Sequence, residues 1–310
     1  MSVLFTFPGQ GAQRAGMLHA LPGDAAVAAT LAEAGDVLGR DPLLLDTAEA
    51  LASTRAVQLC LLIAGVAMAR SLAAQGALPD MVAGFSIGEY PAAVVAGALD
   101  FADAVQLVAR RGQLMEEAYP SGYGMAAIIG LDSAQLEALV AQVHTTAMPV
   151  YVANLNAKRQ IAIAGNDAGL QAVMALALDQ GASKAERLAV SVPSHSPLFD
   201  GAAQQLREAF DTVTLRRPQL AYLSSSAART LFDPARIRDS LASNMARRVH
   251  WMDTVRLAWE RGARLAIEMP PGSVLTRLTA PEFGEGLAVS CDGNHARSLL
   301  ALVSKEHAGA

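Results

Sequence analysis

The segment Gly84-Phe85-Ser86-Ile87-Gly88 fits the pattern G-x-S-x-G, in which a serine occupies a sharp turn between a strand and a helix. The two glycines remove side chains that would clash in such a turn, and the turn exposes the Ser86 hydroxyl. The N–H of Ile87, at the start of the helix, can stabilise a negatively charged oxygen. The alternative is a glycine-rich turn with a capping serine. The apolar run before the motif and the helix predicted after it favour Ser86 as a nucleophile.

A nucleophilic serine needs a base, and histidine is the side chain most often used. Six histidines are present, and His195 lies in the segment Val192–Pro197, a strand-to-helix connection in which two prolines restrict the backbone. Spacing alone does not distinguish His195 from His250 as the base. Ordinary α/β-hydrolases have the order serine, acid, histidine and an HG-type loop before the serine, and this chain follows neither pattern. No acidic residue is marked as the partner of His195, so a backbone carbonyl could hold the imidazole instead.

The elements that must position these residues alternate between strand and helix. Strands at Val3–Phe7 and Met81–Gly84, each followed by helices, predict an α/β unit with a parallel sheet. Between residues 123 and 190 the predicted order becomes β-α-β-β-α-β, which is the ferredoxin-like arrangement. We therefore predict a small ferredoxin-like subdomain, 123–190, inserted into a large α/β subdomain formed by 1–122 and 191–310.

Three boundaries of this scheme are predicted from local patterns. The last strand of the inserted unit is placed at Arg187–Val190. The α/β rhythm then resumes, and the final helix is placed at His295–Val303. Residues Glu306–Ala310 are expected to be frayed.

The composition excludes several classes of protein. The chain has 310 residues, of which 52% are hydrophobic and 17% charged, so it can bury a large core and is not a disordered chain. Its net charge of −5 argues against a nucleic-acid binder. The longest apolar run, Leu59–Ala69, has 11 residues against about 20 for a membrane span, which predicts a buried helix. Cys60 and Cys291 stand apart and imply neither a metal site nor a disulfide, and we expect a soluble cytoplasmic protein.

Several motifs together resemble the malonyl-CoA:acyl-carrier-protein transacylase family. The resemblance extends over nearly the whole chain, to about Leu278, and implies an α/β-hydrolase-like large subdomain with an inserted ferredoxin-like one. The motifs occur in the family's order and are Phe7-Pro8-Gly9-Gln10-Gly11-Ala12-Gln13, Gly84-Phe85-Ser86-Ile87-Gly88-Glu89-Tyr90, Arg111-Gly112-Gln113-Leu114-Met115, Ala153-Asn154-Leu155-Asn156, Ile163-Ala164-Gly165, Val192-Pro193-Ser194-His195 and Glu268-Met269-Pro270-Pro271-Gly272-Ser273-Val274-Leu275.

The resemblance also implies roles for individual residues. Ser86 corresponds to the serine that forms the acyl-enzyme, and His195 corresponds to the general base. The backbone N–H groups of Gln10 and Ile87 correspond to the oxyanion hole. Arg111 matches the arginine that pairs with the free carboxylate of the malonyl group, whereas without the resemblance it would be interpreted as a solvated helix arginine.

Four further residues are assigned to the site in the same way. Asn244 falls where the family uses a main-chain carbonyl to orient the imidazole. Gln58, Met115 and Asn154 correspond to substrate-binding positions, although core packing would explain Met115 equally well. The resemblance implies no metal and no cofactor, because the CoA thioester is itself the substrate.

Two departures from the family pattern resemble one specialised branch, the malonate decarboxylase epsilon subunit. Phe85 stands where the family usually has histidine, and Pro270-Pro271-Gly272 replaces the usual Gly-Pro-Gly. The segments Ser53–Cys60 and Val94–Phe101 are also similar to that branch.

These observations predict an enzyme that moves malonyl from malonyl-CoA to the prosthetic thiol of an acyl carrier protein. The predicted carrier is the carrier subunit of malonate decarboxylase, and no nucleic acid or membrane is expected as a partner. The nearest alternative is the housekeeping malonyl transacylase of fatty acid synthesis. A serine esterase and a non-catalytic complex subunit are alternatives of other classes, and the intact set of Ser86, His195 and Arg111 speaks against the non-catalytic one.

Overall fold

The first part of the chain alternates strands and helices. The structure, a computed structural model, describes residues 2–309. The carboxylate of Asp24 accepts a hydrogen bond from the N–H of Val27 and begins the first helix, which Gly39 ends at φ 65°. The elements are β1 (Ser2–Phe7), α1 (Ala25–Leu38), α2 (Thr54–Ala74), β2 (Met81–Gly84), α3 (Glu89–Val95) and α4 (Phe101–Ala118).

The middle of the chain forms a separate antiparallel sheet. Its elements are β3 (Tyr123–Ile129), α5 (Ser133–Val143), β4 (Val150–Ala157), β5 (Gln160–Asn166), α6 (Asp167–Asp179) and β6 (Lys184–Arg187). The strand order is β4-β5-β3-β6, and every neighbouring pair is antiparallel. This order, with both helices as crossovers, is the predicted ferredoxin-like arrangement.

The remainder of the chain returns to the first sheet. Its elements are α7 (Asp200–Ala209), β7 (Ala221–Ser224), β8 (Arg229–Leu231), α8 (Pro234–Ser243), α9 (Trp251–Glu260), β9 (Ala263–Glu268), α10 (Val274–Thr279), β10 (Leu287–Ser290) and α11 (Ala296–Ala308). The six-stranded sheet has the order β10-β9-β1-β2-β7-β8, and only β8 runs antiparallel to its neighbour. The predicted α/β fold with a parallel sheet and a ferredoxin-like unit is thus confirmed.

The register of the large sheet brings two loops together at one edge. β1 and β2 are parallel neighbours, and Phe7 is paired with Gly84. Because parallel strands end at the same edge, the segment that follows Phe7 and the segment that follows Gly84 begin side by side. Gln10 lies in the first segment and Ser86 in the second, so the sheet itself places these two residues close together.

Helix α2 is the central helix of the large core. Among residues 2–309 it is the one helix long and apolar enough to cross a membrane by length and composition. However, 83% of its most apolar 18-residue window is buried inside the protein, where it packs against α1, α3 and α4. A helix that is apolar on all sides needs such complete burial. The prediction of a buried core helix around Leu59–Ala69 is therefore confirmed.

One strand prediction needs correction, and one strand was not predicted. The strand predicted at Arg187–Val190 lies at Lys184–Arg187, where it pairs with β3. The apolar residues Leu188 and Val190 pack instead against the core of the large subdomain, so their hydrophobicity reflects that contact and not a strand. The short edge strand β8 was not predicted, because its three residues, Arg229–Leu231, contain no apolar run.

The C-terminal helix is longer than predicted. It runs from Ala296 to Ala308, beyond the predicted end at Val303 and through most of the segment expected to be frayed. Lys305 and His307 lie in its last turn, where a basic side chain can interact favourably with the helix dipole. His307 Nε2 also lies 3.1 Å from the carboxylate of Asp80, which anchors the end of the helix. Ala310 lies outside the described residues.

Candidate active site

Ser86 occupies a strained turn that only glycines on either side permit. β2 ends at Gly84, a short 3₁₀ turn covers Ser86–Gly88, and α3 follows directly. Ser86 has φ 58°, a left-handed conformation that costs about 1–3 kcal/mol in a residue other than glycine. A Cβ atom on Gly84 would lie 2.0 Å from the backbone of Gly88, and one on Gly88 would lie 2.1 Å from the carbonyl oxygen of Phe7. The sequence pattern G-x-S-x-G is therefore a steric requirement of this turn.

His195 is the histidine that the fold brings to Ser86. Its Nε2 lies 2.8 Å from Ser86 Oγ, and its ring is buried. Its Nδ1 faces two main-chain carbonyl oxygens, of Asn244 at 2.8 Å and of Arg247 at 2.9 Å. Two acceptors require that Nδ1 carries the hydrogen, and this tautomer, assigned from the hydrogen bonds, leaves the Nε2 lone pair for the serine hydroxyl. His250, in contrast, lies at the start of α9 and does not line the cavity over Ser86.

The surroundings of His195 keep its imidazole neutral. Burial lowers its pKa from 6.5 to about 4, and the positive charge of Arg111 acts in the same direction. The two carbonyl hydrogen bonds oppose this shift because they favour the protonated ring. At neutral pH the ring is therefore free to accept a proton from Ser86.

Arg111 is a buried cation without an acidic partner. It projects from α4 with 1% of its surface exposed, and among residues 2–309 no carboxylate lies within ion-pair distance of it. Its Nη1 donates to Gln58 Oε1 at 2.7 Å and its Nη2 to Asn244 Oδ1 at 3.1 Å. The same Nη2 lies 3.4 Å from Ser86 Oγ, while Nε has no partner within the described chain. Burial lowers the pKa of the guanidinium. An uncompensated buried charge of this kind is costly unless an anion binds there.

The space over Ser86 is small and opens toward a larger cavity. The inner cavity is about 30 Å³ and its lining includes Met115, whose Sδ accepts a hydrogen bond from Gln58 Nε2 at 3.3 Å. A cavity of about 280 Å³ shares part of its wall with the inner one. The residues common to both are Gln10, Phe85, Met125, Asn154 and Val190.

Several residues that line these cavities carry polar groups without partners among residues 2–309. Within residues 2–309, the N–H groups of Gln10 and Ile87 donate to no other group of the protein. The Oδ1 atoms of Asn154 and Asn156 are buried and also lack partners in that range. Buried polar groups are normally satisfied, so these donors and acceptors mark the positions where a ligand would complete the hydrogen bonding.

Two contributors to the site were missed by sequence reasoning. The carbonyl of Arg247 holds His195, but a main-chain oxygen leaves no signature in the residue type. Glu89, directly after the serine motif, is fully buried, and its Oε1 accepts from the N–H groups of Ser225 and Ser226 at 2.8 and 3.0 Å. This carboxylate ties the start of α3 to the end of β7 and so fixes the turn that carries Ser86. A charged residue inside an otherwise apolar stretch was the available signal.

The geometry can activate the Ser86 hydroxyl for attack on a carbonyl carbon. The N–H groups of Gln10 and Ile87 can stabilise the resulting oxyanion, and the Arg111 guanidinium can bind an anion. Among residues 2–309 no group of three or more His, Cys, Asp or Glu side chains is arranged to hold a metal ion. A Ser–His pair on a turn that follows a parallel strand, beside a ferredoxin-like unit, is the arrangement of a serine enzyme that acts on acyl groups.

Comparison with known proteins agrees with this class. Residues 4–305 match the family model of the acyl transferase domain, and the chain belongs to this family. The malonyl CoA-acyl carrier protein transacylase of Salmonella typhimurium is 39% identical over 281 residues, which cover 89% of this chain and 91% of that protein. The corresponding protein of Bacillus subtilis strain 168 is 35% identical, with 89% of each chain covered.

Solved structures show the same similarity. The malonyl CoA-acyl carrier protein transacylase of Coxiella burnetii superposes with a TM-score of 0.93 at 33% identity over 98% of both chains. A malonyl-transacylase solved in complex with its type II PKS acyl-carrier protein gives a TM-score of 0.91 at 35% identity over 98% of this chain and 100% of that one. The resemblance to the transacylase family is confirmed. These relatives favour the alternative of a housekeeping malonyl transacylase. They offer no support for the malonate decarboxylase branch.

Proposed function

We propose that the protein transfers a malonyl group from malonyl-CoA to the prosthetic thiol of an acyl carrier protein. The observation that carries this proposal is the buried, unpaired guanidinium of Arg111, 3.4 Å from Ser86 Oγ. A malonyl thioester has one free carboxylate two bonds beyond its reacting carbonyl carbon. A cation beside the serine is therefore suited to an acyl group of this kind and not to a neutral one. The transacylase relatives support the same substrate.

In the first half-reaction Ser86 Oγ attacks the thioester carbonyl carbon while its proton passes to His195 Nε2. The carbonyl π electrons move to oxygen, and the N–H groups of Gln10 and Ile87 stabilise the resulting oxyanion. Collapse of the tetrahedral intermediate re-forms the C=O bond and breaks the C–S bond. The CoA sulfur leaves with the proton from His195, and a malonyl-serine ester remains.

In the second half-reaction the carrier thiol enters through the larger cavity. A pantetheine arm has two amide N–H groups, and Asn154 and Asn156, whose buried Oδ1 atoms lack partners among residues 2–309, line that cavity. His195 takes the thiol proton, the sulfur attacks the ester carbonyl, and Ser86 Oγ leaves with that proton. This sequence is a ping-pong reaction in which the serine is regenerated.

The proposal extends to cofactors and location. These steps use the CoA thioester as a substrate and this chain's own groups, so we propose no metal and no resident cofactor. Cys60 and Cys291 are both buried free thiols, which is typical of proteins from a reducing compartment. We therefore propose a cytoplasmic location.

The carrier is best tested by direct competition. We expect malonyl transfer to a carrier protein of fatty acid synthesis, as the similarity to the transacylases favours. The second candidate is the malonate decarboxylase carrier subunit, which Phe85 and the Pro270-Pro271 pair favour. The measurement is kcat/KM for transfer from malonyl-CoA to each purified carrier, with apo-carrier lacking the thiol arm as control. Preference for the decarboxylase carrier would reverse this choice, and malonate release without transfer to either carrier would indicate an esterase.

The rate of Ser86 acylation is expected to remain constant as pH falls toward about 4, because only neutral His195 accepts the proton and its pKa is about 4. In the unfolded chain the same histidine is protonated near pH 6.5, whereas in the folded protein it stays neutral down to about pH 4. The free energy of unfolding therefore declines as pH falls from 6.5 toward 4. Rapid-quench mass spectrometry of the malonyl adduct, from neutral pH to below pH 4, measures the rate. His195→Ala should acylate about 10²–10⁴-fold more slowly and lack this dependence. A midpoint near 6.5 in the native chain would contradict the role of burial.

A further inference from the structure

Asn244 contacts Ser86, His195 and Arg111, the first and last of them through its side chain. Asn244 lies directly after α8 with 1% of its surface exposed. Its main-chain oxygen faces His195 Nδ1 at 2.8 Å. Its side-chain Oδ1 accepts from Arg111 Nη2 at 3.1 Å, and its Nδ2 donates to the main-chain oxygen of Ser86 at 3.1 Å. The mechanism above uses only the main-chain oxygen, so the amide group has no assigned role.

Both groups that hold the Arg111 guanidinium are neutral amides. Gln58 Oε1 fixes Nη1 and Asn244 Oδ1 fixes Nη2, so the planar group cannot rotate. A carboxylate at either place would have the same shape and a stronger hydrogen bond, but it would neutralise the cation. The amides orient the charge and leave it available to a ligand.

We propose that the side-chain amide of Asn244 is a positioning residue that determines selectivity for acyl groups with a free carboxylate. The amide holds Arg111 toward the inner cavity over Ser86 without neutralising the guanidinium. It also fixes this cation relative to the turn that carries Ser86. The proposal rests on the proposed function, because it assumes that Arg111 meets the substrate carboxylate.

The test replaces the amide with its charged isostere, Asn244→Asp, which leaves the main-chain oxygen in place. The new carboxylate pairs with Arg111 and competes with the malonyl carboxylate for the same guanidinium. We therefore expect the ratio of kcat/KM for malonyl-CoA to that for acetyl-CoA to fall about 10²-fold, which corresponds to the loss of one charge-assisted hydrogen bond. The rise in KM for malonyl-CoA should account for most of this change. Loss of the Nδ2 donor to Ser86 should lower both rates together and leave the ratio unaffected.

The matched control is Asn166→Asp in the small subdomain. Like Asn244, Asn166 donates from Nδ2 to a main-chain oxygen, that of Ala147 at 3.0 Å, but its Oδ1 accepts from a main-chain N–H, that of Gly169 at 2.8 Å, and not from an arginine. It undergoes the same chemical change at a place remote from Arg111 in sequence and fold. Its selectivity ratio should equal that of the native chain.

Gln58→Glu provides a second test if Asn244→Asp does not fold, because it places a carboxylate on the other side of the same guanidinium. Its ratio should fall in the same way, and Gln58→Asn should retain part of the selectivity. An equal loss for malonyl-CoA and acetyl-CoA in both charged variants would overturn the inference and leave the amides with a structural role. If the native chain itself shows no preference for malonyl-CoA, the proposed function fails instead.

Discussion

Ser86→Ala is expected to abolish formation of the malonyl-enzyme and with it all transfer to a carrier, while the protein remains folded. Ser86 Oγ is the hydroxyl that lies 2.8 Å from His195 Nε2, and alanine offers no atom for the ester bond. The fold should tolerate the change because the glycines that permit the turn are unchanged. The hydroxyl's hydrogen bonds with His195 and Arg111 are lost, and each costs about 0.5–1.5 kcal/mol. The effect on activity should therefore exceed the effect on stability by a wide margin.

Intact-mass and peptide mass spectrometry after mixing with malonyl-CoA provide the measurement. The native chain should gain one malonyl group on the peptide that contains Ser86, and the alanine variant should gain none. Ser183→Ala, which removes an exposed hydroxyl of the small subdomain, is the control and should acylate normally. An adduct on Ser194, which also lines the cavity, at native yield in the Ser86→Ala variant would show that the nucleophile is misassigned.

The parts of the fold that the sequence predicted well are those with local physical signals. The turn at Ser86 requires glycines at 84 and 88 for steric reasons, so its pattern is visible in the residue types. The first helix is bounded by Asp24 and by Gly39 in the left-handed conformation, residue types that commonly begin and end helices. Strand β6 was displaced in the prediction because the apolar residues 188–190 pack on a neighbouring subdomain, a contact that no local pattern encodes.

The predicted site shows the same division between local and long-range information. Ser86 and His195 were selected from local context, but the choice of His195 over His250 needed the resemblance, and the geometry agrees with it. The carbonyl partners of His195 lie 49 and 52 residues away in sequence and use main-chain atoms, which residue types do not reveal. The amide of Asn244 meets Arg111 across 133 residues. Contacts of this kind depend on the whole fold.

Arg111→Ala is expected to reverse substrate preference and not simply to inactivate the enzyme. The carboxylate of a malonyl group must leave water to enter the cavity, and burying it unpaired costs several kcal/mol. The guanidinium fork can donate two hydrogen bonds to it, each contributing about 1.5–3 kcal/mol. Loss of both should lower kcat/KM for malonyl-CoA by roughly 10²–10⁴-fold at about 1.4 kcal/mol per decade. Acetyl-CoA has no carboxylate to lose, and its acylation should be unchanged or faster once the buried charge is gone.

The matched control for this prediction is Arg110→Ala, which removes the neighbouring arginine of the same helix. Within residues 2–309 the one side-chain hydrogen bond of Arg110 runs from Nη2 to Gln205 Oε1 at 3.4 Å, and Arg110 does not line the inner cavity over Ser86, so the preference for malonyl-CoA should persist. The measurement is kcat/KM for malonyl-CoA and for acetyl-CoA in the native chain and in both variants, with thermal unfolding to verify folding. A parallel loss for the two substrates in Arg111→Ala would mean that the guanidinium supports the fold of the site or binds another part of CoA. Since Arg111 lies 3.4 Å from Ser86 Oγ and forms no ion pair with a carboxylate among residues 2–309, inversion of the ratio is the outcome that the site geometry favours.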